Sequence, residues 1–268
     1  MMHPLHALLL GAVEGLTEFL PISSTGHLIL AGRLLHLHGA AVSIFEIVIQ
    51  AGALGAIVIL YRARLVSCWR GLHGRDASGQ RLLANLLIAF LPAAAAGLLL
   101  HQTITAYLFD TWPVIAALAA GGGLMIGLGR RFAARPASKT LETLTPADAL
   151  LIGCAQALSL WPGTSRAMVT IIAGLLCGLS ARDAATYSFL LALPTLGAAT
   201  LFEAWHGGAV LLRDIPATSI LCGFAAAAVV AVLAVRSFVE SLPRIGLAPF
   251  GWYRVGLAAA VWWAAAGR

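Results

Sequence analysis

The chain has 268 residues, of which 60% are hydrophobic and 10% charged, and it carries a net charge of +6. Soluble domains hold roughly 25% charged residues, so this balance, with a mean hydropathy of +0.91, excludes a soluble globular protein and indicates a polytopic membrane protein. The basic excess does not indicate nucleic acid as a partner, because the arginines sit in short connections between apolar segments and not on one face or in a tail. Apolar segments run from end to end, which predicts one membrane domain. The first 20 residues have no Lys or Arg region, and Glu14 and Glu18 interrupt them, so they are expected to remain in the mature protein and not to act as a signal peptide.

In chain order, Leu5 to Leu20 is an apolar helical run too short to cross a core of about 30 Å, and it stops at Pro21. Ser23, Ser24 and Thr25 are good N-cap types and open a second short run, Gly26 to Leu37. Two half-length helices joined by a polar turn predict a re-entrant hairpin. Full spans are expected at about Ala41 to Leu60, Leu82 to Leu100 and Trp112 to Gly129. The pattern then repeats. Thr145-Pro146-Ala147-Asp148 is a capping box opening a short helix to Leu160, and Thr164 and Ser165 cap another that ends near Gly178. Ser180 to Asp183 begins a span to about Glu203, and Ile215 to Val235 and Gly246 to Ala266 complete the set. The expected fold is an all-α integral membrane protein of six transmembrane helices plus two re-entrant helical hairpins.

Local matches support duplication, with halves at about 1–140 and 141–268. Pro21 to Ser24 aligns with Pro162 to Ser165, and Phe45 with Gln50-Ala-Gly aligns with Ser188-Phe189 with Pro194-Thr-Leu-Gly. Three spans per half is odd, so the second half is expected to be inverted, its hairpin entering from the opposite face. The connections expected in the cytoplasm hold Arg62, Arg64, Arg70, Arg75, Arg81, Arg130, Arg131, Arg135, Lys139, Arg182, Arg236 and Arg244, against Arg213 and Arg268 outside. The positive-inside rule then puts both termini outside. Cys68, Cys154, Cys177 and Cys222 show no paired spacing and are expected to be free thiols.

The chemistry concentrates in the two hairpins. Glu14 and Glu18 are four apart on one helix face, and carboxylates in lipid are costly enough to mark function. Together they could ligate a divalent cation, or one could carry a proton while the other holds the metal. Ser24 and His27 also share a face, the pairing needed to activate a nucleophile or protonate a leaving oxygen. Arg166 begins a helix in the second hairpin, where N–H donors, the helix dipole and a guanidinium fork suit phosphate oxygens. Its resting alternative is a salt bridge to Glu14 or Glu18. Glu46 and Gln50 share a face of the first full span and are expected to line the same cavity behind the reacting groups.

The stretch Glu14-Gly-Leu-Thr-Glu18-Phe-Leu-Pro-Ile-Ser-Ser24-Thr-Gly-His27, together with Pro162-Gly-Thr-Ser-Arg166 and Phe45-Glu46-Ile-Val-Ile-Gln50, resembles the bacterial undecaprenyl-diphosphate phosphatases associated with bacitracin resistance, over essentially the whole chain. The resemblance implies hydrolysis of the C55 polyprenyl diphosphate to the monophosphate carrier of peptidoglycan synthesis. It also implies a divalent cation (Mg2+ or Ca2+), an inner-membrane location with a site open to the outside, and dimers in some members. Bacitracin acts there by sequestering the lipid substrate. One departure is Ala167, where the family usually has serine; Thr164 or Thr170 could replace its hydrogen bond. The expected machinery is Glu14, Glu18, Ser24, His27 and Arg166. Ser23, Thr25, Gly163, Thr164, Ser165 and Thr170 are expected to contact substrate. Ser24 is the favoured nucleophile, with Glu14 and His27 handling protons, and His27 or water is the alternative. A polyprenyl-phosphate flippase is the rival function, since inverted repeats with broken helices also build transporters.

Overall fold

The computed structural model describes residues 2–108, 111–133 and 137–266. Among them every extended regular element is a helix: α1 (Pro4–Thr17), α2 (Ser24–Leu34), α3 (Ala40–Leu60), α4 (Arg62–Leu72), α5 (Ala77–Leu108), α6 (Thr111–Ala133), α7 (Pro146–Ala157), α8 (Arg166–Leu176), α9 (Ala181–Asp214), α10 (Ala217–Ile245) and α11 (Ala248–Ala266). A single 3-10 turn, Leu158–Leu160, extends α7. Lipid offers the backbone no hydrogen bonds, so helices that satisfy themselves are the expected solution. Five of them, α3, α5, α6, α9 and α10, are long and apolar enough to cross a membrane. Leu99 and Trp205 are 83% and 87% exposed, an outward apolar surface that lipid requires and water disfavours. The chain is an all-α membrane protein.

Several boundaries differ from the sequence expectation. The Arg62 to Arg81 connection contains α4, whose Gly71 and the facing Gly79 let it lie backbone to backbone on α5. Asp76 closes the turn between them, accepting from Ser67 Oγ at 2.6 Å and Gly79 N at 2.9 Å, and these two bonds hold its carboxyl below the usual aspartate range. Helix α9 continues past Glu203 to Asp214 and ends where Ile215 turns extended before Pro216. Pro92 and Pro194 sit inside α5 and α9 without ending them, and α1 stops at Thr17, leaving Glu18 just beyond it. The expected capping box is present at Thr145 and Asp148. All four cysteines are free thiols. Arg135 and Arg268 lie outside the described residues, as do the side chains of Arg130 and Arg131.

The two hairpin turns share a backbone. Ser23 caps α2 with φ 71° and ψ 99°, and Ser165 caps α8 with φ 72° and ψ 110°. Such positive φ values are strained for any residue but glycine. This corrects the alignment by one residue, because the second turn has one more residue between its proline and its capping serine. By backbone conformation Ser23, and not Ser24, therefore corresponds to Ser165.

Early helices pack on late ones. Helix α1 packs mainly on α10, α7 on α5, α3 equally on α9 and α10, and α6 on α11. Glycines allow the close approaches: a Cβ at Gly11 would run into the Gly223 carbonyl, and one at Gly153 into that of Ala89. Gly11→Ala should therefore destabilise the protein by about 1–3 kcal/mol, read as a lower melting temperature in detergent. Gly123→Ala, where a Cβ meets open space, should not; equal melting of the two variants would refute this packing account.

Candidate active site

The turns bring two buried charges together. Glu18, from just beyond α1, receives Arg166 Nη2 on Oε1 at 3.1 Å and Ser24 Oγ on Oε2 at 2.5 Å. The resting salt bridge expected for Arg166 is therefore made to Glu18. Its Nη1 donates to the Ser188 carbonyl at 2.9 Å, and the guanidinium lies over the Phe19 ring, 5.6 Å from its centroid, a favourable cation–π placement. Thr170 buttresses this arrangement, donating to the Arg166 carbonyl at 2.8 Å and pairing with Ser188 Oγ at 2.6 Å. Its hydroxyl thus stands behind Arg166 and supports it.

Glu14 is fully buried with its carboxyl against that of Glu18, and no N–H or O–H of another residue donates to either of its oxygens. Two carboxylates cannot bond to each other unless a proton or a cation lies between them. Arg166 Nε is also buried without an acceptor. Buried polar atoms are rarely left unpaired, at about 1–3 kcal/mol each, and here unpaired acceptors and an unpaired donor belong to residues joined through Glu18.

The expected Ser24 and His27 pair is not made. Ser24 hydrogen-bonds Glu18, whereas His27 Nδ1 lies 2.7 Å from the Ser23 carbonyl and Nε2 lies 2.8 Å from the Tyr253 hydroxyl. Sharing a helix face was not sufficient, because each side chain found a nearer partner outside α2. His27 is bonded to Ser23, the chain neighbour of Ser24, and among the described residues no hydrogen bond joins it to Glu18 or Arg166.

A second arginine was missed in the sequence. Arg254 on α11 is fully buried, and its Nη2 donates to the carbonyls of Gly163 at 2.8 Å and Ala117 at 3.0 Å, with longer bonds to Leu118 and Pro21. It links the two hairpin turns to each other and to α6. An ionisable residue within an apolar helix of a membrane protein is a functional signal in its own right, and that signal could have found it.

The remaining predicted residues surround this centre. Ser23 and Ser165 accept from Gly26 N and Met168 N as N-caps. Gly163, at φ 93°, is buried where a Cβ would press on the Val114 carbonyl. Thr164 is half-buried and Thr25 exposed, while Ala167 is fully buried within α8. Glu46 and Gln50 are half-buried on α3, and Glu46 lines a cavity of about 140 Å3 with Leu28, Gly32, Arg33 and His38. No group of three His, Cys, Asp or Glu residues is placed to hold a metal among the described residues.

Residues 7–260 match the family described as "Bacitracin resistance protein BacA". A protein of Sorangium cellulosum named undecaprenyl-diphosphatase is 51% identical over 96% of this chain and 85% of its own length. Proteins with the same name from Nitrosomonas europaea and Solidesulfovibrio magneticus are 47% and 43% identical, over 94% and 97% of this chain and 91% and 98% of their own lengths. With both hairpin motifs inside the matched region, the chain belongs to the bacitracin resistance protein BacA family.

Proposed function

We propose that this protein hydrolyses undecaprenyl diphosphate to undecaprenyl phosphate and inorganic phosphate, returning the lipid carrier to peptidoglycan synthesis. The observation that carries the reading is the set of buried unpartnered atoms, Arg166 Nε as donor and the Glu14 oxygens as acceptors. An anion and a cation, or a proton, complete such a site. The names of relatives at 43–51% identity support the same substrate.

In this scheme the diphosphate enters between the hairpins, and Arg166 with the N-terminal N–H groups of α8 neutralises its oxygens. Arg166 turning toward phosphate releases Glu18, which already accepts a hydrogen bond from the Ser24 hydroxyl. Ser24 Oγ attacks the terminal phosphorus as its proton passes to Glu18, and the bond to the bridging oxygen breaks, leaving the lipid monophosphate. Water then cleaves the seryl phosphate. Glu18 thus takes the serine proton, a role the sequence assigned to Glu14 and His27, and His27 Nε2 is left to take the proton of the water that cleaves the seryl phosphate. Glu14 and Glu18 are the residues suited to hold a divalent cation, Mg2+ or Ca2+, which when bound supplies further neutralisation of phosphate charge.

The wider reading follows the charges. Arg62, Arg64 and Arg70 in α4, Arg182 at the start of α9, and Arg236 and Arg244 toward the end of α10 support cytoplasmic connections there, with an inner-membrane location and a site open to the outside. The matched turns and the packing of early helices on late ones support an inverted repeat, with α11 as a sixth span and α1–α2 and α7–α8 as hairpins. A homodimer is proposed from family resemblance alone.

The test is inorganic phosphate release from a polyprenyl diphosphate in detergent, with and without chelator. Release should fall at least about tenfold with chelator and return with Mg2+ or Ca2+. Lipid movement across vesicles without phosphate release would favour the flippase. A trapped phosphohistidine would move the nucleophile to His27.

A further inference from the structure

We propose that Tyr253 is a positioning residue for His27, setting which ring nitrogen is offered to the reaction and in which plane. The inference rests on the phosphatase reading for its catalytic consequence. The Ser23 carbonyl, 2.7 Å from Nδ1, can only accept. Nδ1 therefore carries the proton of the neutral ring, and Nε2 holds the lone pair. The Tyr253 hydroxyl, 2.8 Å from Nε2, donates to that lone pair. The two rings are also parallel to within 5°, with centroids 5.6 Å apart. Tautomer, ring plane and lateral position are thus each fixed by a separate contact.

The sequence places these residues 226 positions apart, and α11 brings them together. Tyr253 directly precedes Arg254, whose guanidinium reaches the Pro21 and Gly163 carbonyls. The helix that ties the two turns together therefore also sets the phenol against the imidazole. Tyr253 remains 50% exposed, so its hydroxyl can swing off Nε2 when a phosphate oxygen or water takes its place. An exposed tyrosine needs no such partner, so exposure alone explains neither the parallel rings nor the hydroxyl on Nε2.

Tyr253→Phe removes the hydroxyl and keeps the ring. Its kcat for phosphate release from polyprenyl diphosphate in detergent should fall about tenfold with KM within about twofold, the pattern of a misplaced proton-transfer group. Combined with His27→Asn it should cause no further loss, because it acts through His27. Wild-type kcat in Tyr253→Phe, or losses that multiply in the double variant, would overturn the proposal. The ring nitrogens give a readout independent of turnover: with 15N-labelled histidine, His27 should show the Nδ1–H tautomer, with an Nε2 shift that moves in Tyr253→Phe. An Nε2–H tautomer, or no movement, would also overturn it. Wild-type protein that releases no phosphate would sink the phosphatase reading while leaving the ring-nitrogen result to decide on Tyr253.

Discussion

Replacing Arg166 with lysine should lower phosphate release by at least about 10³-fold, the scale on which an arginine contributes in phosphoryl transfer. Lysine keeps the charge but not the fork. Arg166 uses separate nitrogens for the Ser188 carbonyl and for Glu18, and leaves Nε unpaired. An ammonium cannot hold both neighbours in the same directions while presenting a third donor. Arg166→Ala should be equally inactive and less stable, because removing one member of a buried ion pair costs about 3–5 kcal/mol. Comparing melting temperature and phosphate release in both variants separates the two losses. Near-normal release from Arg166→Lys would mean that any positive charge suffices there, and the assignment of Nε to phosphate would fall.

Arg254→Met should destabilise the protein by about 3 kcal/mol, since the turn carbonyls of Pro21 and Gly163 lose their donor and each buried orphan costs about 1–3 kcal/mol. Neither accepts another turn or loop backbone bond among the described residues. Methionine fills similar volume, so the loss reports hydrogen bonding and not a cavity. The turns should also lose their mutual spacing, so activity should fall further than the folded fraction does. Calorimetry in detergent alongside phosphate release per folded molecule checks both parts. A variant that melts with the wild type would show that packing alone sets the spacing.

Much of this architecture was legible in the sequence because membranes restrict the options. Apolar length gave the spans, and Ser, Thr and Asp before apolar runs gave the caps at Ser165, Thr145 and Ser180. Helix α4 was missed because an arginine-rich connection reads as a loop unless one sees Gly71 and Gly79 bring it onto α5. The ends of α9 and α10 were placed too early because polar residues such as Glu203 look like span ends. Within the site, identities were readable and partners were not. Spacing placed Ser24 and His27 on one face, yet Glu18 and Tyr253 claimed them. Periodicity describes one helix at a time, whereas Tyr253 and Arg254 matter through contacts between helices far apart in the chain.

The packing of early helices on late ones also has a consequence for how the protein is made. Helix α1 finds its main partner in α10, which leaves the ribosome about 200 residues later, or roughly 10–40 s at 5–20 residues per second. During that interval Glu14 has no finished enclosure, and an unsheltered acidic side chain in lipid costs about 2.5–3.5 kcal/mol. The first hairpin must therefore wait at the membrane edge or in the care of the insertion machinery. Nascent chains arrested before α10 should leave α1 open to carboxyl-reactive labels, and chains released after α10 should protect it. The residues translated first are among the last to reach their final place.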